Sequence, residues 1–240
     1  MEETYNIKAL ILNRKPFSEN GSSVTVYSEN FGKLELIARG TKKIKSKLAC
    51  HLEPISLSDI MVVKGRRHNY IGAVESENCY ASIKNDFDKI KAAGEAVKVF
   101  NLIIKAGEKD REIFYLLKNY FDFLNGAAGK TDYDLSAKLF ILKLLIKAGH
   151  GPELRKCVVC GNKIQPLGNR FDQKNGGFAC AQCLPQKIAL QPSVSENAIK
   201  ILRLAGGLDF KELSRISLNN NVKKEVLTVI SLFFAYNFSC

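Results

Sequence analysis

Ser22-Ser23-Val24-Thr25-Val26-Tyr27-Ser28 and Lys33-Leu34-Glu35-Leu36-Ile37-Ala38-Arg39, joined through Asn30-Phe31-Gly32, decide the fold of the first part of the chain. Apolar residues alternate with polar ones in both stretches, and a tight turn separates them. That pattern predicts an antiparallel hairpin. Working outward, Tyr5 to Leu12 begins with alternation and ends in an apolar run, so it reads as a preceding strand. Asn13 to Gly21, with Pro16 and Gly21, reads as the turn after it. Ile55 to Val63 and Tyr70 to Ser76 read as a fourth and a fifth strand. Five short strands within residues 1 to about 80 predict a small closed barrel. The OB-fold is such a five-stranded arrangement, and an SH3-like barrel fits the pattern nearly as well.

Two basic clusters fall between these strands. Arg39-Gly40-Thr41-Lys42-Lys43-Ile44-Lys45-Ser46-Lys47-Leu48 concentrates five cations with no acid among them. Such a run repels itself unless an anion neutralises it, so it is either a solvated loop or a phosphate-binding arm. Lys64-Gly65-Arg66-Arg67-His68-Asn69 occupies the turn between the fourth and fifth strands. Loops of a small barrel converge, which would bring both clusters to one groove.

From about Ile83 the hydrophobic period changes to that of helices. Phe87, Ile90, Ala93, Ala96, Val97, Phe100, Ile103 and Ile104 mark one apolar face, with Asp86 and Asp88 near its start. Asp110 is placed to cap a second helix ending near Gly126, and Asp132 or Asp134 a third ending at Gly149. The third is apolar on more than one face, the mark of a central helix. Further helices are expected after Pro192-Ser193, over Phe210 to Ile216, and over Val222 to Phe238.

The plainest chemical statement is Cys157-Val158-Val159-Cys160 with Cys180-Ala181-Gln182-Cys183. Two CxxC pairs about nineteen residues apart have the spacing of a four-cysteine zinc site. Four thiolates from two facing turns make a closed tetrahedron, so one structural Zn²⁺ per chain is expected, without an open catalytic position. Two disulfides or a pair of redox motifs are the alternatives. A cytosolic setting disfavours the first, and the lack of a thioredoxin-like βαβ context disfavours the second. The module, about 152–190, reads as ribbon-like, and Lys156, Lys163 and Arg170 would allow it to touch nucleic acid. Cys50, Cys79 and Cys240 read as buried small hydrophobes.

The formal net charge of +12 favours a polyanionic partner, nucleic acid first and an anionic membrane surface second. No stretch is apolar enough for a membrane span, and the acidic start MEETYNIKALIL does not resemble a secretory peptide, so a cytoplasmic location is expected. No phosphate loop, nucleophile elbow or HExxH motif is present, and His51, His68 and His150 are far apart. Asp132 and Asp134 are explained by helix capping. A nuclease or base-modifying enzyme would need a carboxylate cluster or an open metal shell, and neither is visible.

The stretch Ile11-Leu12-Asn13-Arg14-Lys15-Pro16-Phe17-Ser18-Glu19-Asn20-Gly21, with Val24-Thr25-Val26-Tyr27, Phe31-Gly32-Lys33-Leu34 and the loop Ala38-Arg39-Gly40-Thr41-Lys42-Lys43, Lys45-Ser46-Lys47-Leu48, resembles the bacterial DNA repair protein RecO family. The helical middle, the mid-chain cysteines and the total length extend the resemblance over the whole chain. It implies an α+β protein with an OB-fold barrel at 1–80 and a helical domain at 81–240 carrying the zinc module. It implies a non-enzymatic mediator of recombinational repair that binds single- and double-stranded DNA and anneals complementary strands. With RecR, and in some settings RecF, such a protein helps load RecA onto strands covered by single-strand binding protein, whose C-terminal tail it docks. A nucleoid-associated cytoplasmic location follows. Carried onto this sequence, the DNA contacts are Arg39, Lys42, Lys43, Lys45 and Lys47, then Arg14 and Lys15, with Lys64, Arg66 and Arg67 from the second cluster. Tyr27, Tyr70 and Phe31 are the candidate base-stacking aromatics. The competing reading is a zinc-ribbon adaptor in transcription or RNA metabolism.

Overall fold

Five strands close into a barrel in the order β1-β2-β3-β5-β4, with β1 Thr4–Pro16, β2 Ser22–Ser28, β3 Gly32–Ala38, β4 Ser56–Val63 and β5 Asn69–Asn78. The computed structural model describes residues 3–43, 46, 48–129, 131–183 and 193–238. All barrel pairings are antiparallel except β3 with β5, where Leu36 meets Asn69 and Ile37 meets Tyr70 in parallel. This order is that of an OB-fold.

The alternation seen in the sequence selects the interior. Ile7, Ala9, Ile11, Val24, Val26, Leu36, Ala38, Ile60, Val62 and Ile71 fill the barrel together with Leu52. β1 runs four residues further than the sequence suggests. Its pairing with β2 shifts register between Ile11 and Asn13, and past that irregularity Arg14 pairs with Val24 and Pro16 with Ser22. Such a bulge bends a strand without ending it. Arg14 and Lys15 therefore stand in a strand, not in the expected turn.

The outer face of β2 is also covered. Tyr27 is fully buried with its ring edge-on to Phe100 at 4.8 Å. Lys33 sends its ammonium to the carbonyls of Asn101 and Ile104, at 2.8 and 2.9 Å, closing the C-terminal end of the helix that carries them. These contacts gather α1 (Ala81–Lys84), α2 (Phe87–Ile103) and α3 (Arg111–Gly126) with the barrel, so the first compact unit is Met1–Ala127. The change from strand to helix near residue 80 is a change of local pattern; the contact boundary lies later, because these helices bury the barrel's second face.

Capping divides the expected first helix in two. The Asp86 carboxylate accepts from the backbone N–H of Asp88 and Lys89, so α2 starts anew at Phe87. Its buried stripe is Lys89, Ala92, Ala93, Ala96, Val97, Val99, Phe100 and Ile103. Phe87 and Ile90, expected on that face, sit beside it, and Phe87 is 79% exposed. Asp110 caps α3 in the same way through Glu112 and Ile113.

The second unit, Ala128–Cys240, is built on α4 (Tyr133–Lys147), capped by Asp132. Ser136, Ala137 and every residue from Leu139 to Leu145 are buried, as befits a central helix. α5 (Glu196–Ala205) starts at the Ser195 cap, after the position the sequence suggests; Pro192 lies outside the described residues. α6 (Phe210–Ser214) opens with a reciprocal Asp209/Glu212 capping box, and α7 (Asn220–Phe238) completes the unit. The cysteine module lies between α4 and α5. Its hairpin, β6 Arg170–Asp172 with β7 Gly177–Ala179, packs Phe171 edge-on against Phe233 of α7. Arg203 Nε donates to the Leu154 carbonyl at 2.7 Å and ties α5 to the chain entering the first cysteine pair. Among the described residues, no helix is long and apolar enough to cross a membrane.

Candidate nucleic-acid interface and metal centre

Side-chain and backbone contacts bring three segments to one end of the barrel. The Lys42 backbone N–H bonds to the Asn20 carbonyl, and its ammonium donates to the Ser18 carbonyl at 2.8 Å, joining the loop after β3 to the β1–β2 turn. The Phe17 ring meets the His68 ring edge-on at 5.5 Å, joining that turn to the β4–β5 turn. The Arg39 guanidinium lies over the Tyr70 ring at 4.2 Å, joining the loop after β3 to the start of β5. The two basic clusters separated in sequence thus share one pole.

The cations at this pole are not equivalent. Lys15, Lys43, Arg66 and Arg67 are exposed, and among the described residues none of them has an ion pair. Arg39 is exposed and oriented by Tyr70. Gly65 makes room for that aromatic ring, since a Cβ there would fall 2.8 Å from Tyr70 Cε2 and 2.4 Å from the His68 carbonyl. Lys64 pairs with Glu3 at 2.9 Å, and this hydrogen bond raises its pKa above the usual lysine value.

Arg14 differs most from expectation. It is half-buried and donates from Nη1 to the Ala49 carbonyl at 2.9 Å, from Nη2 to the Thr41 carbonyl at 3.4 Å, and from Nε to Ser22 Oγ at 3.3 Å. It also approaches Glu53 at 3.5 Å. Its donors are spent on the loop's own backbone, so it braces the loop instead of facing solvent. Lys45 and Lys47 lie outside the described residues. Of the candidate stacking aromatics, Tyr27 is removed by burial, Tyr70 already carries Arg39, and Phe31 packs on Tyr5 at 4.8 Å away from the basic turns' contacts. Phe17, half-exposed and in contact with His68, is not among the aromatics singled out from the sequence, because a lone aromatic in a polar turn has no periodic pattern to announce it.

In the second unit the sulfurs of Cys157, Cys160, Cys180 and Cys183 all lie within 4.8 Å of one another. Cys160 and Cys180 sulfurs are 3.9 Å apart, close to the roughly 3.8 Å edge of a tetrahedron with 2.3 Å metal–sulfur bonds. The knuckles are folded by the backbone: the Gly161 N–H donates to the Cys157 carbonyl at 2.9 Å, and the Cys183 N–H to the Cys180 carbonyl at 2.9 Å. Burial alone would raise the Cys157 thiol, but backbone N–H groups of Cys160, Cys180 and Val159 outweigh it and lower the pKa to about 6. Cys183 is pushed up to about 12 by hydrogen bonds with the thiols of Cys160 and Cys180. Four thiols this close cannot all ionise unless a cation joins them, so the set fits a metal ion held by all four. Four ligands leave no open position. Cys50 and Cys79, expected to be buried, are exposed, and Cys240 lies outside the described residues.

The family model described as "Recombination protein O N terminal" matches residues 1–80, and "Recombination protein O C terminal" matches residues 84–238. A protein named DNA repair protein RecO from Clostridium novyi is 28% identical over 235 residues, covering 98% of this chain and 90% of its own. One of the same name from Desulforamulus reducens is 25% identical over 232 residues, covering 97% and 89%. One from Rubrobacter xylanophilus is 28% identical over 179 residues, covering 75% and 71%. With both halves matched by its models, this chain belongs to the recombination protein O (RecO) family.

Proposed function

We propose that this chain is a DNA-binding mediator of recombinational repair that works without catalysing a covalent step. It binds single- and double-stranded DNA at the barrel pole and anneals complementary strands. With RecR, and with RecF where present, it helps RecA replace single-strand binding protein, whose C-terminal tail docks on the helical part. It acts in the cytoplasm, at the nucleoid.

The observation that carries the reading is the convergence of Arg39, Lys42, Lys43, Lys15, Arg66 and Arg67 on one pole, most of them exposed and unpaired. Each cation that meets a phosphate releases a condensed counterion and lowers the repulsion between two strands brought together. Arg14 contributes by holding the loop, and Lys64 is partly neutralised by Glu3. Lys45 and Lys47 add to the same cluster by sequence. The metal is Zn²⁺, which suits a closed four-thiolate shell and needs no redox change; its role is to fix the module against α5 and α7.

The test is annealing of complementary oligonucleotides without a nucleotide cofactor, alone and with single-strand binding protein present. Faster annealing in both conditions is expected. No acceleration and no DNA binding would overturn the proposal, and cleavage of labelled DNA with Mg²⁺ would point to an enzyme instead. Tighter binding of RNA than of DNA would favour an adaptor in RNA metabolism.

A further inference from the structure

Phe17 is a large apolar side chain in a polar turn, and it is 50% exposed. It takes no part in the barrel core. Its ring and that of His68 meet in a T-shaped contact, at 5.5 Å and 75°, which links the β1–β2 and β4–β5 turns while half the Phe17 surface faces solvent. These are the two turns through which OB-folds engage oligonucleotides.

Its surroundings are selective. Lys15 precedes it by two residues, the Lys42 ammonium is fixed on the carbonyl of neighbouring Ser18, and Arg66 and Arg67 directly precede His68. Glu19 is the one acid in the same turn. Other exposed rings of this unit stand in different settings. Phe87 is flanked by Asp86 and Asp88, which repel phosphate, and Tyr115 bonds to Glu29 at 3.0 Å. Phe31 belongs to the β2–β3 turn with Tyr5. Among the described residues, Phe17 is the exposed ring that stands amid unpaired cations.

We infer that Phe17, packed against His68, is a stacking platform for an unpaired base, and that it strengthens the barrel's hold on single strands relative to duplex. The inference rests on the DNA-binding reading of this pole and adds the base-recognising residue to it. Phosphate contacts alone do not distinguish strands by base accessibility. A ring at the pole does, because an unpaired base offers a π-face that a stacked duplex base does not. Loss of one such stack weakens binding by about 5- to 150-fold.

The test uses the full chain with a fluorescent oligo-dT and a blunt duplex of equal length. Phe17→Ala is expected to weaken oligo-dT binding at least about fivefold and duplex binding by less than about twofold. Phe17→Leu, which keeps apolar bulk without the π-face, should behave like the alanine variant. The sequence has no tryptophan, so Phe17→Trp supplies a unique indole. Its emission should be quenched by oligo-dT but not by duplex, with single-strand affinity retained. Unchanged single-strand binding in Phe17→Ala, or equal loss on both DNAs, or an unquenched indole in a bound complex, would each overturn the inference. A control variant lacking Lys42, Lys43, Arg66 and Arg67 separates the two claims. If it loses both DNAs while Phe17→Ala loses neither, the DNA-binding pole stands and the stacking role fails. If it binds both as the parent does, the pole itself is wrong.

Discussion

The Tyr27 hydroxyl donates to the Asp110 carbonyl at 3.3 Å and stands 3.2 Å from the Asp110 backbone N–H, from which it accepts. One side chain of β2 thereby fixes the first turn of α3 on the barrel. Burial pushes this phenol up to about 12 from its ordinary 10.0, partly offset by the Asp110 hydrogen bond. A raised phenol supports the folded state fully below the unfolded value and loses that support as pH climbs from about 10 to about 12. Tyr27→Phe should cost about 1–2 kcal/mol at neutral pH through the lost bonds. The difference in stability between parent and variant should shrink across that alkaline window. Urea unfolding at a series of pH values measures it, and a constant difference would contradict this account.

Gly32 closes the β2–β3 hairpin with φ +68°. A Cβ there would fall 2.1 Å from the Glu108 carbonyl oxygen, against backbone that has little room to yield. Gly32→Ala should therefore destabilise the first unit by more than about 2 kcal/mol, combining left-handed strain with displacement of the 105–109 segment. A lower denaturation midpoint with unchanged steepness is the expected result.

Arg14 offers a way to separate bracing from contact. Arg14→Ala should lower stability by about 1–3 kcal/mol, since it strands the Ala49 and Thr41 carbonyls. It should speed amide exchange around residues 39–43. If Arg14 met phosphate directly, its removal would instead flatten the salt dependence of DNA binding.

For the metal centre, about one zinc per chain is expected from elemental analysis of protein prepared without chelators. Replacing Cys157 by Ser should abolish stoichiometric zinc. Chelation should raise hydrogen exchange in the 152–183 module and in α7 more than in the barrel, because Phe171 carries the module's packing to Phe233. Equal protection with and without metal would contradict a structural role.

The barrel was legible from alternation at Val24, Val26, Leu34 and Leu36, since one buried face imposes period two. The helix starts at Asp110 and Asp132 were legible because a carboxylate meeting free N–H groups is a local event. The cysteine cluster was legible from spacing alone. What escaped depended on contacts distant in sequence. The extension of β1 beyond Leu12 needs β2 as partner. The bonds of Arg14 reach carbonyls 27 and 35 residues away, and nothing in its local sequence marks them. Burial of Tyr27 depends on Phe100, and nothing in the local pattern of β2 reveals a helix covering its outer face.

The central claim, that the barrel pole is the DNA surface, is tested most directly by the salt dependence of oligo-dT binding. The parent protein should be compared with a variant carrying Lys42→Ala, Lys43→Ala, Arg66→Ala and Arg67→Ala, with anisotropy followed across salt concentrations. The account predicts weaker binding at every salt concentration and a log–log slope shallower by about 3, as four lost phosphate contacts require. An unchanged slope with unchanged affinity would contradict it and move the DNA surface elsewhere on the chain.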